Sequence, residues 1–85
     1  MMTTINVVFF AALREQMGIS NYSFDLIEEM TIGELKHTLA SQLEQGRLLL
    51  AEGIQSSIDF EFSRDIDRVT HDSKEVAFFP PVTGG

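Results

Sequence analysis

The sequence predicts an α+β domain in which a mixed sheet of four or five strands carries one main helix on a single face. Three observations lead there. Apolar residues alternate with polar ones, or run continuously, near both ends of the chain and again from Ile58. Only one long stretch has helical spacing, and it has a single apolar stripe. Two strand-like segments precede that helix and two follow it, an order that a helix packed across one sheet satisfies in two layers.

Thr4 to Phe10 passes from alternating to continuous apolar residues rich in β-branched and aromatic types, the mark of a strand that becomes buried on both faces. Ala11 to Met17 are strong helix formers that stop at Gly18, predicting one or two turns of linking helix. In Asn21 to Leu26, Tyr22, Phe24 and Leu26 lie on one face and Asn21, Ser23 and Asp25 on the other, so this strand has one wet face. Thr31 followed by Glu34 predicts a capping box, and Ile32, Leu35, Leu39 and Leu43 predict a helix over 32–45 that Gly46 ends. Arg47 to Ala51 adds a short helical turn whose leucines close one end of the core, ending near Gly53.

Ile58, Phe60 and Phe62 alternate with Asp59, Glu61 and Ser63, which predicts a third strand with one wet face. Ile66 and Val69 are expected to pin an irregular connection, Asp72-Ser73-Lys74 to turn, and Glu75 to Phe79 to form the last strand, ended by Pro80-Pro81. Right-handed crossover favours setting the first and last strands side by side and parallel. The resulting fold is the β-grasp, or ubiquitin-like, arrangement, with residues 1–79 as the domain and 80–85 as a flexible Gly-Gly tail.

With 85 residues there is room for one modest core, burying roughly 60–65% of the surface that the unfolded chain exposes. Cysteine is absent, which excludes disulfides, thiol catalysis and thiolate metal sites. Thirteen acidic against six basic side chains give a net charge of -7, and the basic residues are scattered, so neither nucleic acid nor an anionic membrane is an expected partner. No signal-peptide pattern or membrane-spanning run is apparent, so the expected location is the cytoplasm.

Strand parity has a further consequence. If Ile5, Val7 and Phe9 face the helix, Val8 and Phe10 point the other way, and the last strand likewise divides Val76 and Phe78 from Ala77 and Phe79. Only one face has a helix to cover it, so an apolar patch is expected on the open face beside the tail, suited to a partner. The tail itself is distinctive. From Val76 to Gly85 there is no charged side chain, in a chain of which 22% is charged. Pro80-Pro81 stiffens its base, and Gly84-Gly85 has no side chains to obstruct a narrow channel.

The run Glu75-Val76-Ala77-Phe78-Phe79-Pro80-Pro81-Val82-Thr83-Gly84-Gly85 resembles the ending of the MoaD/ThiS family of ubiquitin-like sulfur carriers, in particular its molybdopterin synthase small subunits. Val7 to Glu15 resembles that family's first strand and turn, and Thr31 to Leu35 its helix start. The resemblance implies that an E1-like enzyme adenylates Gly85, that sulfur replaces AMP to leave a thiocarboxylate (1-thioglycine), and that Gly84 gives access. It further implies sulfur donation to cyclic pyranopterin monophosphate within a large subunit, in a heterotetramer of two small and two large subunits. Phe10, Arg14, Phe79, Pro80, Pro81, Val82 and Thr83 would then form the partner interface. No cofactor would be held stably, only the transient AMP adduct and the thiocarboxylate sulfur. Where members commonly have Gly-Asp before the residue matching Glu75, and an Asn near Phe60, this chain differs; Ser73-Lys74 implies a different turn.

The remaining polar residues read as structural. His37 is on the polar side of the helix and His71 lies in a turn without companion ligands. Asp65 and Asp67, interleaved with Arg64 and Arg68, read as a solvated ion-pair face, and Glu28-Glu29 as favouring the helix start. No phosphate loop or nucleophile-base pair is present, so the chain is not expected to be an enzyme on its own. Two alternatives stay open: a related carrier for thiamine, cysteine or tRNA thiolation, and a ubiquitin-like interaction or modifier domain. Self-association of the isolated chain through Phe10 and Phe79 is a further expectation.

Overall fold

Residues 2–81 are described by the structure, a computed structural model. In chain order it contains β1 (Thr3–Phe9), α1 (Ala11–Met17), β2 (Asn21–Leu26), β3 (Met30–Thr31), α2 (Ile32–Gln42), a 3-10 turn (Gly46–Leu50), β4 (Gln55–Ile58), β5 (Glu61–Ser63), β6 (Arg68–Val69) and β7 (Glu75–Phe79). Five strands form one mixed sheet in the order β2-β1-β7-β4-β5, with β1 and β7 parallel at its centre and the other neighbours antiparallel. This is the expected β-grasp. A small ladder of β3 with β6, unforeseen in the sequence, ties the entry of α2 to the segment before β7.

The core lies between the sheet and α2. Ile5, Val7 and Phe9 of β1, with Val76 and Phe78 beside them on β7, form one core cluster with Ile32, Leu35 and Leu39 of α2, all essentially buried. Phe9 and Phe78 stack with ring centroids 6.3 Å apart. α1 stops where Gly18 takes φ 78 and its N–H returns to the Arg14 carbonyl. α2 starts with the expected capping box: the Glu34 N–H donates to Thr31 Oγ1 at 3.1 Å, and the Thr31 N–H to Glu34 Oε1 at 2.9 Å.

Several expectations are corrected. The main helix ends at Gln42, short of 45, because Leu43 is already extended at φ -101 and ψ 143. Gly46 is needed for space instead of as a helix stop: it is buried where a Cβ would overlap the Leu39 carbonyl oxygen. Of the three leucines after it, Leu49 is buried, Leu48 is half-buried and Leu50 is exposed. Val69 reaches the core, whereas Ile66 is 69% exposed and pins nothing.

The largest correction concerns Ile58 to Ser63, which form a hairpin instead of one strand. Ile58 pairs with Glu61 and Ser57 with Phe62, leaving Asp59-Phe60 as a two-residue turn. Both turn residues have positive φ, 48 and 72, as a type I′ connection requires. The apolar alternation across this segment therefore belongs to three environments. Ile58 packs on the core, Phe60 is at the tip, and Phe62 is on the open face.

Candidate functional site

The open face of the sheet is graded along its strands. At one end it is polar, with Thr4 donating to Asp25 at 3.3 Å and the Asn6 amide donating to Glu75 Oε1 at 3.4 Å. At the other end the register sets Val8, Ala77, Ser57 and Phe62 in one cross-strand row, and Phe79 lies next to it on β7. There a shallow groove of about 250 Å³ is lined by Phe10, Ser57, Phe60, Phe62, Ala77 and Phe79. The Phe62 and Phe79 rings meet edge-on at 5.9 Å. Phe10 is 46% exposed, Phe62 83% and Phe60 85%. This much aromatic surface at one end of a small sheet has the composition of a partner-binding patch.

The expected open-face patch is thus present and larger than strand parity indicated. Phe10 and Phe79 are brought together as foreseen. Phe10 stands immediately before α1, its N–H bonded to the Phe78 carbonyl at 3.1 Å. Arg14 is exposed on α1 but does not line the groove. Pro80 is half-buried and Pro81 exposed. A Cβ on Gly53, whose φ is 86, would come within 3.2 Å of the Pro81 ring, so this glycine gives the tail base a close seat. Val82, Thr83, Gly84 and Gly85 lie outside the described residues. Phe60 and Phe62 were missed as site residues because one continuous strand would have put them beside Ile58; their density of phenylalanine was the available signal.

Other polar residues are arranged differently from the sequence reading. Among the described residues the single ion pair joins Lys36 and Asp65, with Nζ 2.8 Å from Oδ1. Lys36 is buried and also donates to the Ile54 carbonyl at 3.2 Å. Arg64 and Arg68 therefore do not form an ion-pair face with Asp65 and Asp67. The Asp67 carboxylate instead accepts the Arg64 backbone N–H at 2.7 Å, closing a turn. Glu29 accepts the His71 N–H at 3.3 Å, while Glu34 is the acid that serves the helix start. Ser73 is buried, with Oγ accepting the Thr70 N–H at 3.0 Å, so a side chain closes the turn where a glycine would use backbone freedom. His37 is exposed, as expected. Among the described residues no cluster of three potential metal ligands occurs, and no helix is long and apolar enough to cross a membrane.

The ThiS family model matches residues 7–85. The molybdopterin synthase sulfur carrier subunit of Escherichia coli is 35% identical over 81 residues, covering 95% of this chain and 99% of its own. The protein of the same name from Haemophilus influenzae is 33% identical over 89 residues, with the same coverage. Among solved structures, small archaeal modifier protein 1 from Methanosarcina acetivorans superposes with a TM-score of 0.73 at 20% identity, over 100% of this chain and 99% of its own. That likeness concerns the fold.

Proposed function

The chain belongs to the ThiS family, and from that premise we propose that it is the sulfur carrier subunit of a molybdopterin synthase, with the carboxylate of Gly85 as its working group. The observation that carries the reading is the continuity of tail and groove. Strand β7, paired on both sides, ends at Phe79 on the groove wall, and the charge-free run continues through Pro80 and Pro81. The last strand thereby ends beside the surface best suited to a partner. The full-length likeness to two sulfur carrier subunits supports the same choice.

A carboxylate is a poor electrophile. An E1-like enzyme joins Gly85 to AMP, releasing pyrophosphate, and a sulfur nucleophile then attacks the carbonyl carbon as the bond to AMP breaks. The thiocarboxylate enters the large subunit, Gly84 adding no side chain to the channel, and gives its sulfur to cyclic pyranopterin monophosphate. Two such donations build the dithiolene; in each the C–S bond of Gly85 breaks and water supplies the oxygen that restores the carboxylate for recharging. Phe10, Phe79 and Arg14 belong to the docking surface, with two small and two large subunits in the assembly. The reaction is cytoplasmic, and the nucleotide is bound by the activating enzyme.

Intact-mass measurement of the chain purified from its own cells tests this. A C-terminal peptide heavier by the difference between sulfur and oxygen, and reactive toward a thiocarboxylate label, is expected. Deleting Gly85, or adding a residue after it, should abolish sulfur transfer with little change in folding. An unmodified terminus after incubation with activating enzyme, ATP and a sulfur donor would reject the carrier role. Lysine-linked adducts would indicate a modifier instead.

A further inference from the structure

Phe60 occupies the second central position of the β4–β5 turn at φ 72. A side chain crowds the backbone in this left-handed region, which is why glycine usually fills the position in such hairpins. Burial does not compensate, since the residue is 85% exposed. Folding alone favours glycine here, yet the chain carries a large aromatic side chain. The turn is also firmly held. The Asp59 N–H donates to the Glu75 carbonyl at 2.8 Å, and Asp59 Oδ1 accepts the N–H groups of Lys74 and Glu75, both at 2.9 Å. These three bonds fasten the hairpin tip to the start of β7, with Phe60 on the wall of the groove shared by Phe10 and Phe79.

We propose that Phe60 is a docking residue for the large subunit that receives the tail, and that Asp59 is the positioning residue that presents it. This rests on the sulfur-carrier reading. The occupant follows from Gly85 as the working group: only Val82 to Gly84 separate it from Pro81, and Val82 to Gly85 reach at most about 14 Å when fully extended. A subunit that takes Gly85 into a pocket must come that close to Pro81, which brings its surface over the adjoining groove. The matching surface presents apolar side chains to Phe60 and Phe79.

The test measures affinity of the full chain for its cognate large subunit by calorimetry, together with chemical denaturation of the free chain. Phe60→Gly should weaken docking about tenfold, as loss of an aromatic anchor does, without lowering the denaturation midpoint, because the turn loses its strained side chain. Asp59→Ala should lower both affinity and midpoint. Asp59→Asn should retain both, since its side-chain oxygen can accept the same two amides and asparagine tolerates positive φ. Wild-type affinity in Phe60→Gly, while Phe79→Glu is impaired, overturns the role of Phe60 and leaves the carrier reading intact. Loss of self-association alone in Phe60→Gly assigns the residue to a contact between copies and also overturns it. A wild-type chain that carries sulfur on Gly85 but does not bind the large subunit overturns the proposed occupant; one that never acquires sulfur rejects the underlying reading itself.

Discussion

Glu34 shows how one side chain can make a helix start depend on pH. Its carboxylate accepts the Thr31 N–H, and that bond first, then the neighbouring Thr31 hydroxyl, with a smaller contribution from the Arg68 charge, hold its pKa below the ordinary carboxylate value. A group whose folded pKa is depressed contributes stability above its unfolded pKa and loses it as the pH falls through the folded value. Glutamine can make the same box without titrating. Wild type should therefore gain relative to Glu34→Gln above about pH 4.5, and the difference should shrink on acidification below it. Denaturant titrations of both proteins across that range would check this; a constant difference would mean that the ionised form has no special place at the cap. This motif was legible because it needs only two residue types at a fixed spacing. The Asp59-Phe60 turn was not, because phenylalanine carries no sequence signal for positive φ.

Elements were legible where a single pattern matched a single environment. β2 and β7 have the bounds that alternation and the Pro80-Pro81 stop indicated, and α1 ends on its glycine. The region from Gly46 to Val69 was read poorly because its order comes from a turn and from polar side-chain contacts that apolar periodicity does not register. Ser56, for example, is buried with Oγ 2.8 Å from Ser63 Oγ across the β4–β5 pair, a pairing that no local pattern announces. Lys36 is another case. Nothing in its local sequence marks it for burial, yet its ammonium is buried and tethers the helix to the Ile54 carbonyl and to Asp65. The two ends of this ion pair predict different mutational costs. Asp65→Ala strands a buried charge and should cost about 1–3 kcal/mol, below the full cost of breaking a buried pair, because the Asp65 side chain is 64% exposed. Lys36→Met replaces the charge with a chain of similar length and should change stability by less than about 1.5 kcal/mol in either direction. Equal large losses in both variants, measured by denaturant unfolding, would mean that the pair itself supplies the stability.

At the scale of the molecule, an apolar groove sits on a chain of net charge -7, and these two properties respond oppositely to salt. Two copies meeting face to face through the groove bring like charges together, and shortening the Debye length from about 10 Å at 0.1 M to about 3 Å at 1 M relieves that repulsion while leaving apolar burial in place. If, on the proposed function, the large subunit presents a basic rim to this acidic chain, docking gains from electrostatic steering that the same salt removes. Raising salt should therefore strengthen self-association of the isolated chain, read by sedimentation velocity, and slow association with the large subunit, read by stopped flow. Phe79→Glu should suppress both contacts by tenfold or more, because a carboxylate would have to leave water to enter either interface. If salt moved both contacts in the same direction, the partner's rim would not be basic. If Phe79→Glu spared docking while abolishing self-association, the groove would be a surface between copies, and the large subunit would have to grip the domain elsewhere while still drawing in a tail attached at Phe79.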